Sequence, residues 1–163
     1  MIAYSDGEGD EKGSVPNLST DLRDETVYDR LGPRPPVAEM INWTLLSLDK
    51  ESQSIHLSFT AAKNFTNPGG TVHGGFISAM LDECMGSAVV GLTEAEFLPV
   101  TISMTTDFIR PVLPGEVFGE GRITSMSGRS AFLEGRLTDP EGNVLARSVG
   151  SFRLFPFPDG VKK

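Results

Sequence analysis

Asn67-Pro68-Gly69-Gly70-Thr71-Val72-His73-Gly74-Gly75, running into Phe76-Ile77-Ser78-Ala79-Met80-Leu81-Asp82-Glu83-Cys84-Met85-Gly86-Ser87-Ala88-Val89-Val90-Gly91, is the stretch whose reading decides the fold. Its first part is turn chemistry, since proline fixes φ and paired glycines reach conformations closed to other residues. Its second part predicts one helix from Gly75 to about Gly91. The apolar residues of that helix cover nearly every face of a 3.6-residue period, so it must be buried on most sides. The flanking sequence has to supply the cover.

Strand signals stand on both sides. Residues 43–48 and 54–60 read as a hairpin joined by Asp49-Lys50-Glu51-Ser52. After the helix come four strand-like runs, 100–110, 115–126, 131–137 and 144–155, separated by turn residues at 111–115, 127–128 and 139–142. In the first run Val100, Ile102, Met104, Thr106 and Phe108 alternate with Thr101, Ser103, Thr105 and Asp107, and the first set is expected to face the core. Short turns between long strands imply an antiparallel meander. A parallel α/β sheet would need several crossover helices, and the sequence offers one. The expected class is therefore α+β: a curved antiparallel sheet of five to six strands wrapped around one long central helix.

The chain has 163 residues, a prior of one domain. Its formal charge is −8, but residues 1–30 alone hold eight acids against three bases. This divides the chain into an acidic, partly flexible tail over 1–35, a folded domain over 36–157 and a short tail over 158–163. A short helix is expected over 21–31, capped by Thr20 or Asp21, with Arg34-Pro35-Pro36 as linker. No run of basic residues marks a nucleic-acid partner. The first dozen residues lack the apolar core of a signal sequence, and no run approaches the ~18 apolar residues of a membrane span, so a cytoplasmic protein without a membrane partner is expected. One cysteine, Cys84, and two histidines, His56 and His73, are poor material for a metal site, and none is expected. Cys84 lies among apolar residues and reads as a small core side chain.

The chemistry sits where the turn meets the helix. A helix N-terminus exposes unpaired N–H groups and the positive end of its dipole, and Gly74 and Gly75 let a ligand oxygen approach them. That is the make-up of an oxyanion hole, which the Asn67 amide could complete. The plain alternative is a loop bend with His73 as the helix cap. Asp82 and Glu83 sit mid-helix among apolar residues, where a carboxylate is costly unless it is paired, hydrogen-bonded or at a cleft. Small residues flank Asp82 one turn away, at Ser78 and Gly86, and leave room for a ligand. Glu83 reads as the residue where the helix surfaces. Asp82 lies eight residues beyond Gly74, about 12 Å along a straight helix. Both groups cannot reach one carbonyl from the same chain, so a shared substrate would need Gly74 of one subunit and Asp82 of a two-fold mate.

These residues carry a resemblance. The string Asn67…Val72-His73-Gly74-Gly75…Leu81-Asp82-Glu83…Met85-Gly86, with six residues from Asn67 to His73 and nine from His73 to Asp82, resembles the PaaI-like branch of the hotdog-fold acyl-CoA thioesterases. Phe108-x-Arg110-Pro111, Ser127-Gly128-Arg129-Ser130 and Asp139-x-x-Gly142-x-x-x-Ala146 extend it over residues 40–155. The resemblance implies the hotdog fold, in dimers joined edge to edge and usually paired into tetramers. It implies hydrolysis of an acyl-CoA to free acid and CoA, with no cofactor apart from the CoA of the substrate. Asp82 takes the place of the catalytic carboxylate, as general base or as nucleophile. Asn67 and the Gly74 N–H would polarise the thioester carbonyl, and His73 would position the loop or touch the thioester. Thr101 falls where relatives orient water, although the alternation above turns it away from the core face. Gly75, Phe76 and Glu83 are expected to contact substrate, with Arg110 and Arg129 near the CoA nucleotide; a solvated arginine is the alternative for each of the last two. Phe76, Met80 and Met85 are expected to bound the acyl pocket. A hotdog dehydratase would need a Gly-x-x-Pro signature after its histidine, which is missing here. A non-catalytic acyl-CoA-binding hotdog protein is the remaining rival.

Overall fold

The computed structural model describes residues 26–31 and 33–158. The expected tail residues 1–25 and 159–163 lie outside them. The elements run α1 (Val27–Arg30), α2 (Pro36–Ile41), β1 (Thr44–Asp49), β2 (Ser54–Ala61), a 3-10 turn (Lys63–Phe65), α3 (Gly74–Leu92), β3 (Phe97–Phe108), β4 (Gly115–Ser127), β5 (Ser130–Thr138) and β6 (Val144–Pro156). The strands form one antiparallel sheet in the order β1-β2-β4-β5-β6-β3. It curves around α3, whose Met80, Leu81, Cys84, Met85, Ala88 and Val89 are all fully buried. The expected α+β class and the central helix are both present.

Closeness of helix and sheet is a matter of missing side chains. A Cβ on Gly121 of β4 would overlap the Cys84 carbonyl, and one on Gly119 the Cys84 sulfur. Cys84 is enclosed by this contact, and burial pushes its thiol far above the ordinary range.

Three expectations change. The four later strands are not one meander: β4-β5-β6 is, but β3 lies beyond β6, and β4 pairs with β2. Residues 109–114 carry the chain from β3 back to β4, three strand spacings or about 14 Å, which six residues span with ease. Val112 is buried under that link and accepts the Val72 N–H at 2.8 Å. Turn length alone could not tell the two routes apart.

The second change is in β3. A bulge between Thr101 and Ser103 shifts its register against β6. Val100 and Ile102, expected in the core, are 47% and 60% exposed. Thr101 instead pairs with the buried Phe152 and shares its inward face. One extra residue therefore reverses the phase on which the alternation rested.

The third is at the start of the domain. Pro36–Ile41 is a helix where only a linker and the onset of the body were expected, with Pro36 at its first turn and Ile41 buried. Ahead of it, Thr26 opens α1 by donating its N–H to Asp29 Oδ2 at 2.8 Å, inside the helix expected over 21–31. Tyr28 stands edge-on to Trp43, 5.3 Å between ring centres, and donates its hydroxyl to the Ser87 carbonyl of α3. Arg30 and Lys50 bind the two oxygens of Glu94 at 2.8 and 2.9 Å. This segment packs on the C-terminal half of α3.

Candidate active site

The site begins with a backbone count at the start of α3. His73 is the N-cap residue, with extended φ and ψ, and its Nδ1 accepts the Gly75 N–H at 3.1 Å. The neutral ring therefore carries its proton on Nε2, toward solvent. The Phe76 N–H is taken by the His73 carbonyl. That leaves the Gly74 N–H with no acceptor among the described residues, at the positive end of a 19-residue helix. The capping role and the open donor coexist because they fall on neighbouring N–H groups.

The loop before the helix is held by its own polar atoms. Asn67 Oδ1 accepts the Gly69 N–H at 2.8 Å, and its Nδ2 donates to Thr71 Oγ1 at 2.9 Å. Gly70 turns there at φ 81°, where glycine is at ease. One of the two amide N–H groups of Asn67 is thus spent inside the loop, and one is left.

Gly74, Ser78, Asp82 and Gly86 fall four apart and line one face of α3. That face lies along the edge strand β3. A Cβ on Gly74 would stand 3.3 Å from the Phe108 ring, and one on Gly86 3.9 Å from Pro99. Between them Thr101 donates its hydroxyl to Asp82 Oδ1 at 2.7 Å. The bulge at Ile102 makes this contact possible. The contact joins two of the expected site residues, and the alternation read from the sequence had placed Thr101 on the wrong side. Phe108, half-exposed against the glycine of the helix N-terminus, is a site residue that the sequence reading did not single out. The signal was available in Gly74, where an added Cβ would press on the Phe108 ring at 3.3 Å.

Other expected residues scatter. Glu83, read as solvated, is mostly enclosed on the α1 side of the helix, accepts Ser87 Oγ at 3.2 Å and has its carboxyl pushed above the ordinary 4.5 by burial. Phe76 stacks on the buried Phe65, 4.0 Å between centres, so one of its faces belongs to the core. Met80 and Met85, expected to bound the pocket, are fully buried. Gly75 is exposed, beside His73. Arg110 donates to the Val144 carbonyl at 2.8 Å, by the first residue of β6. Arg129 sits in the β4–β5 turn, where its carbonyl accepts the Leu154 N–H near the other end of β6. Ten residues of strand, about 33 Å, separate the two, so one chain does not bring both to one nucleotide. Among the described residues no three His, Cys, Asp or Glu side chains converge as metal ligands.

Comparison with known proteins places this arrangement. Residues 69–146, the span holding the helix and most of the sheet, match the model of the Thioesterase superfamily. A phenylacetic acid degradation-related protein of Ralstonia eutropha is 25% identical and superposes with a TM-score of 0.73 over 79% of this chain and 99% of that one. The PaaI protein of the Escherichia coli phenylacetic acid degradation operon shares the fold at 15% identity, with a TM-score of 0.68 over 76% and 86%. A thioesterase of Haemophilus influenzae does so at 14% identity, with a TM-score of 0.67 over 76% and 85%. The chain has the hotdog fold of the PaaI-like thioesterases. Its central span is similar to the thioesterase superfamily, whose reaction class is thioester hydrolysis.

Proposed function

We propose that this protein hydrolyses acyl-CoA thioesters, with Asp82 as the reacting carboxylate. The observation that carries this reading is the pair of features on one helix face: an unpaired N–H at Gly74 and a carboxylate held by Thr101 at Asp82. The first suits the oxygen of a polarised carbonyl; the second suits a water or the carbonyl carbon itself. As base, Asp82 takes a proton from water, whose oxygen attacks the carbonyl carbon. The C–S bond then breaks and the CoA thiolate takes up a proton. As nucleophile, Asp82 forms the anhydride first and water cleaves it.

Eight residues of helix keep the two features about 12 Å apart within one chain, so the working site takes Asp82 from one copy and Gly74 from a second. The edge strand β3 is the proposed seam, since its outer side has no strand partner among the described residues. Two-fold antiparallel pairing that sets Thr101 opposite the second copy's Phe108 centres the seam near Met104 and Thr105. Val100 and Ile102 then lie at a joined edge, which accounts for their exposure in a single chain. The remaining Asn67 N–H faces the same oxygen in this reading, and His73 shapes the loop through its cap.

The test is release of free thiol from a panel of acyl-CoAs of varied acyl group, followed with a thiol reagent. Wild-type protein should turn over at least one of them, and Asp82→Ala should lower kcat by about a hundredfold or more while folding normally. A fully active Asp82→Ala protein would remove the assignment. Tight binding of acyl-CoA by wild-type protein with no thiol release would favour a binding role instead.

A further inference from the structure

Phe108, the last residue of β3, combines two properties that rarely go together. Its register partner Ala146 is fully buried, and residues paired across two strands share a face, so Phe108 points to the helix side of the sheet. Yet it is 56% exposed. It belongs to neither aromatic pair among the described residues, Tyr28–Trp43 and Phe65–Phe76. What its ring touches is the start of α3: a Cβ on Gly74 would stand 3.3 Å from both Cε1 and Cζ. Carbon atoms in ordinary contact lie about 3.5 to 4.0 Å apart. The ring therefore lies against the bare Cα of Gly74 and has no slack toward the helix. Its other side is open. Farther along the same face of β3 the hydroxyls are taken, Thr106 sharing a hydrogen bond with Ser148 at 3.2 Å and Thr101 donating to Asp82. Phe108 and the half-buried Met104 remain as the apolar side chains of that strand face.

We propose that Phe108 selects the acyl group: its ring is the wall on which the carbon next to the thioester carbonyl packs, and it confines the substrates to acyl-CoAs with an unbranched CH2 at that carbon. This rests on the thioesterase reading of the site given above. An oxygen that accepts the Gly74 N–H at about 2.9 Å brings its carbonyl carbon to about 4 Å from that nitrogen. The ring, pressed on the Cα of the same residue, then bounds the space that the substituents of this carbon enter. One substituent is sulfur, which leads to the phosphates of CoA and so to water. The other leads into the apolar acyl group, for which the ring is the apolar surface at hand. A CH2 holds only hydrogens on either side of the carbonyl plane and passes a flat ring. A carbon with two methyl groups places one on each side, so one of them meets the ring, which Gly74 keeps from retreating. A pocket of this kind discriminates one carbon by about ten- to two-hundredfold. Phe108 and Gly74 belong to one chain, so the wall goes with the N–H donor whichever copy supplies Asp82.

The test compares kcat/KM for matched substrates in wild-type protein, Phe108→Leu and Phe108→Ala, again by release of free thiol. The first pair is the acyl-CoA that wild-type protein cleaves best and its derivative with two methyl groups on the carbon next to the carbonyl. The second pair carries the same two methyl groups at the far end of the acyl chain. A ratio of two substrates measured on one protein does not depend on how much of it is folded, so a folding defect neither produces nor hides the effect. Wild-type protein should cleave the near-branched derivative at least tenfold less well than its parent. That ratio should shrink in Phe108→Leu and fall by tenfold or more in Phe108→Ala, while the far-branched ratio stays the same in all three proteins. A near-branched ratio that Phe108→Ala leaves unchanged would overturn the proposal, and so would equal change in both ratios, the mark of a wall that serves the whole chain. Equal loss toward every substrate, including complete loss in both folded variants, would place the ring beside the CoA arm or the reaction itself and overturn it too. The same holds if wild-type protein cleaves only acyl groups that lack a CH2 next to the carbonyl. Cleavage of no acyl-CoA at all by wild-type protein is a different failure: it removes the thioesterase reading, and this inference with it.

Discussion

Thr101 shows how much can hang on one hydroxyl. It is the protein's own hydrogen-bond donor to Asp82, reached across from the edge strand at 2.7 Å. A hydrogen bond to a charged group is worth about 1.5 to 3 kcal/mol, which corresponds to a change of ten- to a hundredfold. Thr101→Val should therefore lower kcat/KM for thioester cleavage by about that factor with no loss of folded protein, while Thr101→Ser keeps most of the activity. A steady-state comparison of the three proteins checks it. Glu83, one residue along the helix from Asp82, makes a different prediction. Burial raises its carboxyl above the ordinary 4.5 in the folded chain. Its contribution to stability is complete below the unfolded value and is lost as pH rises through the folded one. Glu83→Gln keeps an acceptor for Ser87 and has no charge to bury. Urea midpoints of the two proteins should agree near pH 4 and separate by pH 7, with the variant the more stable; equal midpoints at both would show that the carboxylate is not enclosed. Asp82 could be picked out from sequence because a carboxylate on an apolar helix needs a reason. Its partner Thr101 is reached only through the family resemblance; the alternation turns it away from the helix, because a single inserted residue turns the strand over and no composition rule marks where a bulge will fall.

At the scale of elements, the contact between α3 and β4 is set by two glycines. Gly121 has no room for a methyl group because the Cys84 carbonyl occupies the place, and a helix backbone cannot step aside as a side chain can. Gly121→Ala should cost about 3 kcal/mol or more, read as a fall in the urea midpoint at unchanged slope. Gly70 is the control: its φ of 81° strains an alanine, but nothing stands near the added carbon. Gly70→Ala should cost only about 1 to 2 kcal/mol. The element inventory itself was largely legible. Apolar residues on all sides of one long helix, with alternating runs around it, leave few ways to bury both. What stayed hidden was order across the sheet, since a link of 109–114 serves a neighbouring strand or one three places away equally well. The helix Pro36–Ile41 was hidden by its prolines, which read as linker although Pro36 sits where a first turn tolerates it.

For the whole molecule, the question is whether one chain owns a complete site. Gly74 and Asp82 share a helix face but stand two turns apart, and a helix of ordinary rise cannot fold them onto one carbonyl. A composite site makes a prediction that a self-contained one does not. Asp82→Ala removes the carboxylate and keeps the open N–H. Gly74→Val keeps the carboxylate but puts a branched side chain where even a Cβ would stand 3.3 Å from the Phe108 ring, and it covers the N–H. Each variant alone should be inactive. Mixed in equal amounts under conditions that let subunits exchange, half the dimers become hybrids. In a hybrid, the Asp82 of one chain meets the Gly74 of the other at one site, while the second site carries both lesions. Activity should rise to about a quarter of the wild-type value as exchange proceeds. A mixture that stays inactive while mass spectrometry records hybrid dimers would mean that each chain completes its own site, and the seam along β3 would then lose its role in catalysis.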